Sequence, residues 1–313
     1  MARLSFFCVV ITMDSRDSNL YHRANVIRSI RDFFASKGFL EVETPLRIPA
    51  NAPEEHIEPF RSDDRYLHTS PEICMKRLLC RGHRKIFQIC RCWRSDERGR
   101  RHTPEFTMLE WYRANSDYRD LMRDCEELLE WVGRSCRTAG TASVGDHPAF
   151  MAGKAEQITV REAFNRFASL DMEATVRDGS FDEVMVTRVE PALSRDVPVI
   201  LMDYPAPMAA LARLKPGDPT VAERFELYAG GLELANGFSE LNDPVEQRAR
   251  FEEANLKRVE RGYAPLPLPE PFLRDLAAMP PSAGIALGVD RLVMLCAEAE
   301  RIDDVLSFTP EEL

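Results

Sequence analysis

The chain has 313 residues and a mass of 35.7 kDa, enough for one large domain or two ordinary ones. With 44% hydrophobic and 29% charged residues it can bury a large core, which excludes a disordered or fibrous polymer. The 41 basic residues are outnumbered by 51 acidic ones, a net charge of −10, so any RNA contact would need a local basic patch.

The longest apolar run is Phe6–Ile11, far short of the roughly 20 residues of a membrane helix. Residues 1–18 are expected to form a disordered leader, with Met13 as an alternative start. Leu20, Ala24, Ile27, Ile30 and Phe34 follow helical spacing, with Ser18 and Asn19 as caps and Lys37-Gly38 at the end. A strand at Phe39–Val42 is stopped by Pro45, and Pro71–Arg81 reads as a helix. Ile86–Trp93 and Phe106–Tyr112 read as an antiparallel pair of strands around the polar loop Arg94–Pro104. Leu121–Val132 is helical, Arg137–Glu156 a surface loop, and Ile158–Asp196 a set of helical pieces; residues 137–196 together are expected to be an insertion. Strands follow at Val197–Met202, Phe225–Ala229 and Leu232–Ala235, the last two around Gly230-Gly231. A charged helix at Asp243–Gly262 precedes the irregular, proline-rich Ala264–Pro271; then Ile285–Leu287 is a strand running into a helix at Asp290–Ala297. Strands that come in groups with helices between them indicate an α+β fold with an antiparallel sheet over residues 19–313. The eight cysteines lack zinc spacing, although Cys90 and Cys92 share a strand face, and they read as reduced thiols of a cytoplasmic protein.

There is no P-loop, no G-x-G-x-x-G after a strand, no H-E-x-x-H and no G-x-S-x-G, so any nucleotide chemistry must use another phosphate cradle. Three segments are dense in functional residue types. Arg94–Phe106 crowds four arginines and His102 into one loop, and guanidinium groups fork onto phosphate oxygens. Phe106, Met108, Glu110 and Tyr112 share one strand face beside it; the plainer reading of the loop is a solvated charged turn. In Glu233–Glu240 two carboxylates flank Asn236-Gly237, and a turn there would bring them together on magnesium; otherwise they are two surface acids. In Gly284–Arg291 the small residues Gly284, Ala286 and Gly288 would let a ligand approach the backbone, and Asp290 can cap the following helix. Arg291, ill placed for the helix dipole, points to a phosphate contact; the alternative is a core strand.

Together these segments resemble the class II aminoacyl-tRNA synthetases: Phe39–Pro45 resembles motif 1, Arg94–Tyr112 motif 2 and Gly284–Leu295 motif 3. Ser70-Pro71-Glu72, Lys76-Arg77-Leu78, Pro104–Tyr112 and Asn236–Asp243 resemble the lysyl-tRNA synthetase subclass. Those enzymes also carry an N-terminal anticodon-reading barrel, and about 20 residues before the first helix leave no room for one here. Size, Thr69–Leu79 and Val221–Glu240 resemble instead the stand-alone synthetase paralogues that modify a lysine of elongation factor P. Ala286, where lysyl-tRNA synthetases carry glycine, fits β-lysine over lysine.

The resemblance implies ATP and Mg²⁺, a homodimer and no membrane or tRNA partner. It makes Arg94 and Arg291 catalytic and implies an ATP site of Arg94, Ser95, Asp96, His102, Thr103, Phe106, Glu233, Leu234, Gly288 and Arg291. Amino-acid binding would fall to Ser70, Pro71, Glu72, Tyr112, Glu240 and Ala286, and the metal to Glu233 and Glu240. Asp96 and Thr103 depart from the glutamate and asparagine usual in the family. A minimal lysyl-tRNA synthetase and an idle adenylate-binding paralogue are the alternatives.

Overall fold

The computed structural model describes residues 15–138 and 146–313. Residues 1–14 of the expected leader and 139–145 of the expected loop lie outside the described residues. Residues 15–18, assigned to the leader, are helical, because α1 spans Ser15–Ser36. Ser18 and Asn19 therefore do not cap it; Asn19 Nδ2 donates to the Asp304 carbonyl at 3.0 Å. Val26, Ile30, Phe33 and Phe34 bury the inner face of α1, and Gly38 ends the turn at φ 73°.

The chain continues through β1 (Leu40–Glu41), a small sheet of β2 (Arg47–Ile48), β3 (Arg61–Ser62) and β4 (Arg65–Leu67), then α2 (Glu72–Cys80). The long strands β5 (Lys85–Trp93) and β6 (Glu105–Ala114) pair antiparallel, as the alternating residues predict. After α3 (Tyr118–Thr138), the expected loop and insertion hold β7 (Glu156–Thr159), α4 (Val160–Ala163), α5 (Met172–Asp178) and α6 (Phe181–Val184). Strands β8 (Val199–Pro205), β9 (Leu214–Lys215), β10 (Asp218–Ala229) and β11 (Leu232–Ser239) follow, then α7 (Pro244–Glu260), α8 (Glu270–Asp275), β12 (Ser282–Gly288) and α9 (Val289–Cys296).

The main sheet runs in the order β1-β5-β6-β12-β11-β10-β8-β7, with β9 on β10. Its centre is antiparallel, and only the outer pairs β1·β5 and β7·β8 are parallel. Each of those pairs is joined through helices, the crossover that parallel strands require. The fold is α+β with a mixed sheet.

Alternation along β5 and β6 divides the molecule. Phe87, Leu109 and Trp111 join the core under α1, α3 and α9, whereas Ile86 and Tyr112 join the one under α2, α7 and α8. The short helices of residues 160–192 pack Phe164, Phe181 and Val189 against Leu201 and Tyr204 of β8 and Tyr228 of β10, a second core on the outer strands of the main sheet. The apolar stripe of α1 is internal core rather than a free face.

Two local expectations fail for physical reasons. Asn236-Gly237 is not a turn: β11 runs straight through it between β10 and β12, pairing Asn236 with Ala286 and Gly237 with Ile285. Glycine is needed there because a Cβ would stand 2.8 Å from Phe225 and 3.0 Å from Ile285. Asp290 does not cap α9. Its carboxylate accepts from the Thr107 amide at 2.7 Å and pairs with Arg23 of α1 at 2.5 Å, and Arg23 also donates to Thr107 Oγ1 at 2.6 Å.

Candidate active site

A cavity of about 270 Å³ opens on the α2 side of the sheet, floored by β6, β12 and β11. The inward row of β6, from Phe106 to Tyr112, faces it because period-two alternation puts those four residues on one face.

One end is acidic. Glu110 is buried, accepting from Ser70 Oγ at 2.5 Å and from the Tyr112 hydroxyl at 2.7 Å. Ser70 Oγ in turn accepts from the Glu72 amide at 3.0 Å at the start of α2. Burial, reinforced by the charge of Glu72, pushes the Glu110 carboxyl up to about 8 against those two hydrogen bonds. Behind it Lys76, fully buried, pairs with Glu72 at 2.5 Å and with Glu240 at 2.5 Å, its ammonium 5.1 Å from the Phe238 ring centre. Burial opposes the ammonium charge, but Glu240 and Glu72 outweigh it and hold Lys76 up to about 12. Burial likewise pushes Glu240 up while Lys76 pulls it back. Two carboxylates, Glu72 and Glu240, thus share one ammonium, and with Glu110 beside them the pocket is suited to a cationic ligand. Gly284 has no room for a side chain, since a Cβ would meet Tyr112 at 2.2 Å and Glu240 at 2.3 Å. Ala286 lies directly opposite Glu110 in the ladder.

The other end is cationic. Arg94 packs on the Phe106 ring at 5.1 Å and pairs loosely with Glu97 at 3.4 Å. Arg291 donates to the Glu233 carbonyl at 2.8 Å, lies 3.3 Å from its carboxylate, and meets His102 Nε2 at 2.6 Å. Burial and the Arg291 charge push His102 below its ordinary value, which suits a neutral ring accepting from Arg291. Burial and then the charge of Glu226 raise Glu233 to about 7, against Arg291 and Arg224. Glu226 itself accepts from Arg224 at 2.7 Å and from the Tyr228 hydroxyl at 2.7 Å.

The cavity collects Ser70, Glu72, Arg94, His102, Thr103, Phe106, Tyr112, Glu233, Leu234, Ala286, Gly288 and Arg291, as expected. Four expected residues do not line it. Pro71 starts α2, its carbonyl accepting from Cys74 and Met75. Ser95 donates through its amide to Glu58, and the exposed Asp96 accepts from the Tyr263 hydroxyl at 3.1 Å. Glu240 lies behind Gly284 against Lys76.

The expected metal pair of Glu233 and Glu240 is also wrong. With no turn between them, seven residues of strand hold the two about 23 Å apart. The acid that meets Glu233 is Glu226, across the β10–β11 hairpin. The two carboxylates offer the oxygen donors that a hard divalent cation takes, each paired here with an arginine, Arg224 on Glu226 and Arg291 on Glu233. Two of the loop arginines turn away from the cavity: Arg98 pairs with Asp303 at 2.8 Å and Glu311 at 2.7 Å, and Arg100 with Glu300 at 3.0 Å. Sequence reasoning gave Lys76, Glu110, Glu226 and Arg101 no individual role, although Arg101 was one of the four loop arginines, Lys76 lay in the Lys76-Arg77-Leu78 run and Glu110 in the inward row of β6.

The model of the family described as tRNA synthetases class II (D, K and N) matches residues 2–312. The chain belongs to the class II aminoacyl-tRNA synthetase family. It is 43% identical over 309 residues to a protein of Erwinia tasmaniensis named elongation factor P–(R)-β-lysine ligase, covering 93% of this chain and 95% of that one. Proteins of the same name from Pectobacterium atrosepticum and Salmonella gallinarum are 40% and 42% identical; the matches cover 94% and 93% of this chain, and 95% and 94% of theirs. Among the described residues no helix is long and apolar enough to cross a membrane.

Proposed function

We propose that the protein activates (R)-β-lysine, or lysine, with ATP and transfers the aminoacyl group to a lysine ε-amine of elongation factor P. The observation that carries this reading is the polarity of the cleft: an acidic pocket for a diamino acid at one end, arginines for a triphosphate at the other. Class II membership and the names of the relatives support it.

In the first step the substrate carboxylate attacks the α-phosphorus in line and pyrophosphate leaves. Arg94 would bind the α-phosphate. Arg291 and His102 would hold the outer phosphates, and Arg101 stands beside Arg291 at the mouth. Charge grows on these oxygens in the transition state, so fixed guanidinium groups act where their effect is largest. Phe106 would stack the adenine once Arg94 moves onto phosphate, with Thr103, Leu234 and Gly288 lining the same site. Mg²⁺, held by Glu226 and Glu233, would neutralise phosphate charge. Glu72 and Ser70 would take the amino group near the carboxylate, and Glu110 and Tyr112 the terminal ammonium, with Glu240 behind them holding Lys76 in place. In the second step the acceptor amine, having lost its proton, attacks the carbonyl carbon of the adenylate and AMP leaves. The adenylate phosphate itself would take that proton. Assembly as a homodimer through Phe39–Pro45 completes the proposal; β1 is an edge strand there, with Leu40 51% exposed.

The test is intact-mass analysis of unmodified elongation factor P after incubation with the protein, ATP and β-lysine. A gain of one lysyl unit is the expected result. Charged tRNA from α-lysine with unmodified elongation factor P would overturn it in favour of a tRNA synthetase.

A further inference from the structure

Cys90 and Cys92 share the face of β5 that carries Gln88, and sit opposite Met108 and Phe106 in the ladder. His68, the residue after β4, comes over them from the small sheet. Its Nε2 lies 3.8 Å from Cys92 Sγ, the two sulfurs are 4.0 Å apart, and the three ligand atoms lie within 4.8 Å of one another. His68 and Cys92 are buried, and Cys90 is partly exposed. Metal bonds of about 2.3 Å to sulfur and about 2.0–2.1 Å to nitrogen place ligand atoms roughly 3.5–3.8 Å apart at tetrahedral angles. The sulfur–sulfur and Cys92–His68 spacings lie within a few tenths of an ångström of that, and Cys90 and His68 must close further.

We propose that His68, Cys90 and Cys92 form a binding site for a soft cation, zinc or copper(I), on β5 beside the cleft strand β6. Two thiolates and an imidazole are the donor set those ions select, whereas magnesium takes the carboxylate oxygens of the cleft. One contact opposes ligation: His68 Nε2 lies 2.7 Å from the Arg91 carbonyl, and that hydrogen bond must open. A neutral hydrogen bond is worth an order of magnitude less than a metal–thiolate site, so the exchange is favourable. Binding releases the two thiol protons to solvent. Gln88 Oε1, two residues along the same face, is buried without a partner. The neighbouring thiols Cys136 and Cys296 have no such third ligand among the described residues.

The test titrates cobalt(II) into the reduced, metal-free full chain. A thiolate-to-cobalt band that saturates at one equivalent and is displaced by zinc is expected. A parallel arm offers copper(I) against a chromophoric chelator and decides which ion binds more tightly. Cys90→Ser and Cys92→Ser should each weaken binding at least about 100-fold, while Cys136→Ser leaves it unchanged. Cys92 is fully buried, so circular dichroism accompanies each variant, and the partly exposed Cys90→Ser carries the test if Cys92→Ser does not fold. No band, a band that survives both substitutions together, or a Cys90–Cys92 disulfide in place of metal uptake would overturn the site.

Discussion

The two ends of the cleft solve opposite electrostatic problems in different ways. At the acidic end the counterion is built in: Lys76 sits between Glu72 and Glu240 at 2.5 Å from each, sealed from water. At the cationic end the pairs are loose, 3.4 Å for Arg94 with Glu97 and 3.3 Å for Arg291 with Glu233, and the groups are only half-buried. A tight buried pair keeps its partners in place whether or not ligand is bound, whereas loose pairs can be exchanged for phosphate oxygens at little cost. The amino-acid pocket is therefore preformed, and the phosphate site completes itself on its ligand.

The sharpest way to break this contrast is Lys76→Met. It strands two buried carboxylates, and losses from removing one partner of a buried pair run to about 3–5 kcal/mol. Urea denaturation should show a drop of that size, with much of it recovered in Lys76→Met combined with Glu240→Gln. Next is Arg291→Ala, which leaves the fold intact because the group sits at the half-buried mouth of the cleft and strands no buried charge. It should slow β-lysine-dependent pyrophosphate exchange by about 10²–10³, as loss of one transition-state donor does. A stability loss as large as that of Lys76→Met would contradict the contrast. Gly284→Ala acts on the preformed end alone. Its methyl collides with Tyr112 and Glu240, and overpacking of about 1–3 kcal/mol should raise KM for the amino acid about tenfold or more while KM for ATP holds.

The smallest effect is a pH dependence. Folded Glu110 keeps its proton up to about 8, whereas the unfolded carboxyl gives it up near 4.5. The native state then binds more protons, so this group makes the unliganded protein less stable as pH rises from about 4.5 to about 8. A substrate ammonium favours the ionised carboxylate, so amino-acid affinity should rise as pH climbs towards about 8 and level off above it. Calorimetry should show both trends flattened in Glu110→Gln.

Much of the cationic end was legible because its residues are neighbours in sequence: Arg94, His102 and Phe106 lie in one loop and its flanking strand. The β5–β6 pair that presents them follows from simple alternation. The acidic end was harder to read. Lys76, four residues after Glu72, has the spacing of an ordinary surface pair on a helix. It is buried only because Glu240 arrives beside it from the end of β11. Glu226 meets Glu233 only once the Gly230-Gly231 hairpin closes, with φ 63° and 76° at its two glycines. Asn236-Gly237 carries a strong local turn signal that its position in the middle of a sheet overrules. The region 156–192 is obscure for another reason: its short helices pack on the outer strands β8 and β10 through a few residues each, so no long periodic stripe is needed.

The carboxylate of Asp290 has a consequence for how the site is assembled. It grips the Thr107 amide and the guanidinium of Arg23 together, so β6, α1 and α9 meet at one charged point. A slip of β6 by one residue would carry Thr107 about 3.4 Å away and turn Phe106 and Glu110 to the opposite face. Apolar alternation alone tolerates a slip by two, which restores the faces; a single acceptor waiting for a single amide does not. Asp290 thus works as an index pin, fixing which rung of the ladder each cleft residue occupies.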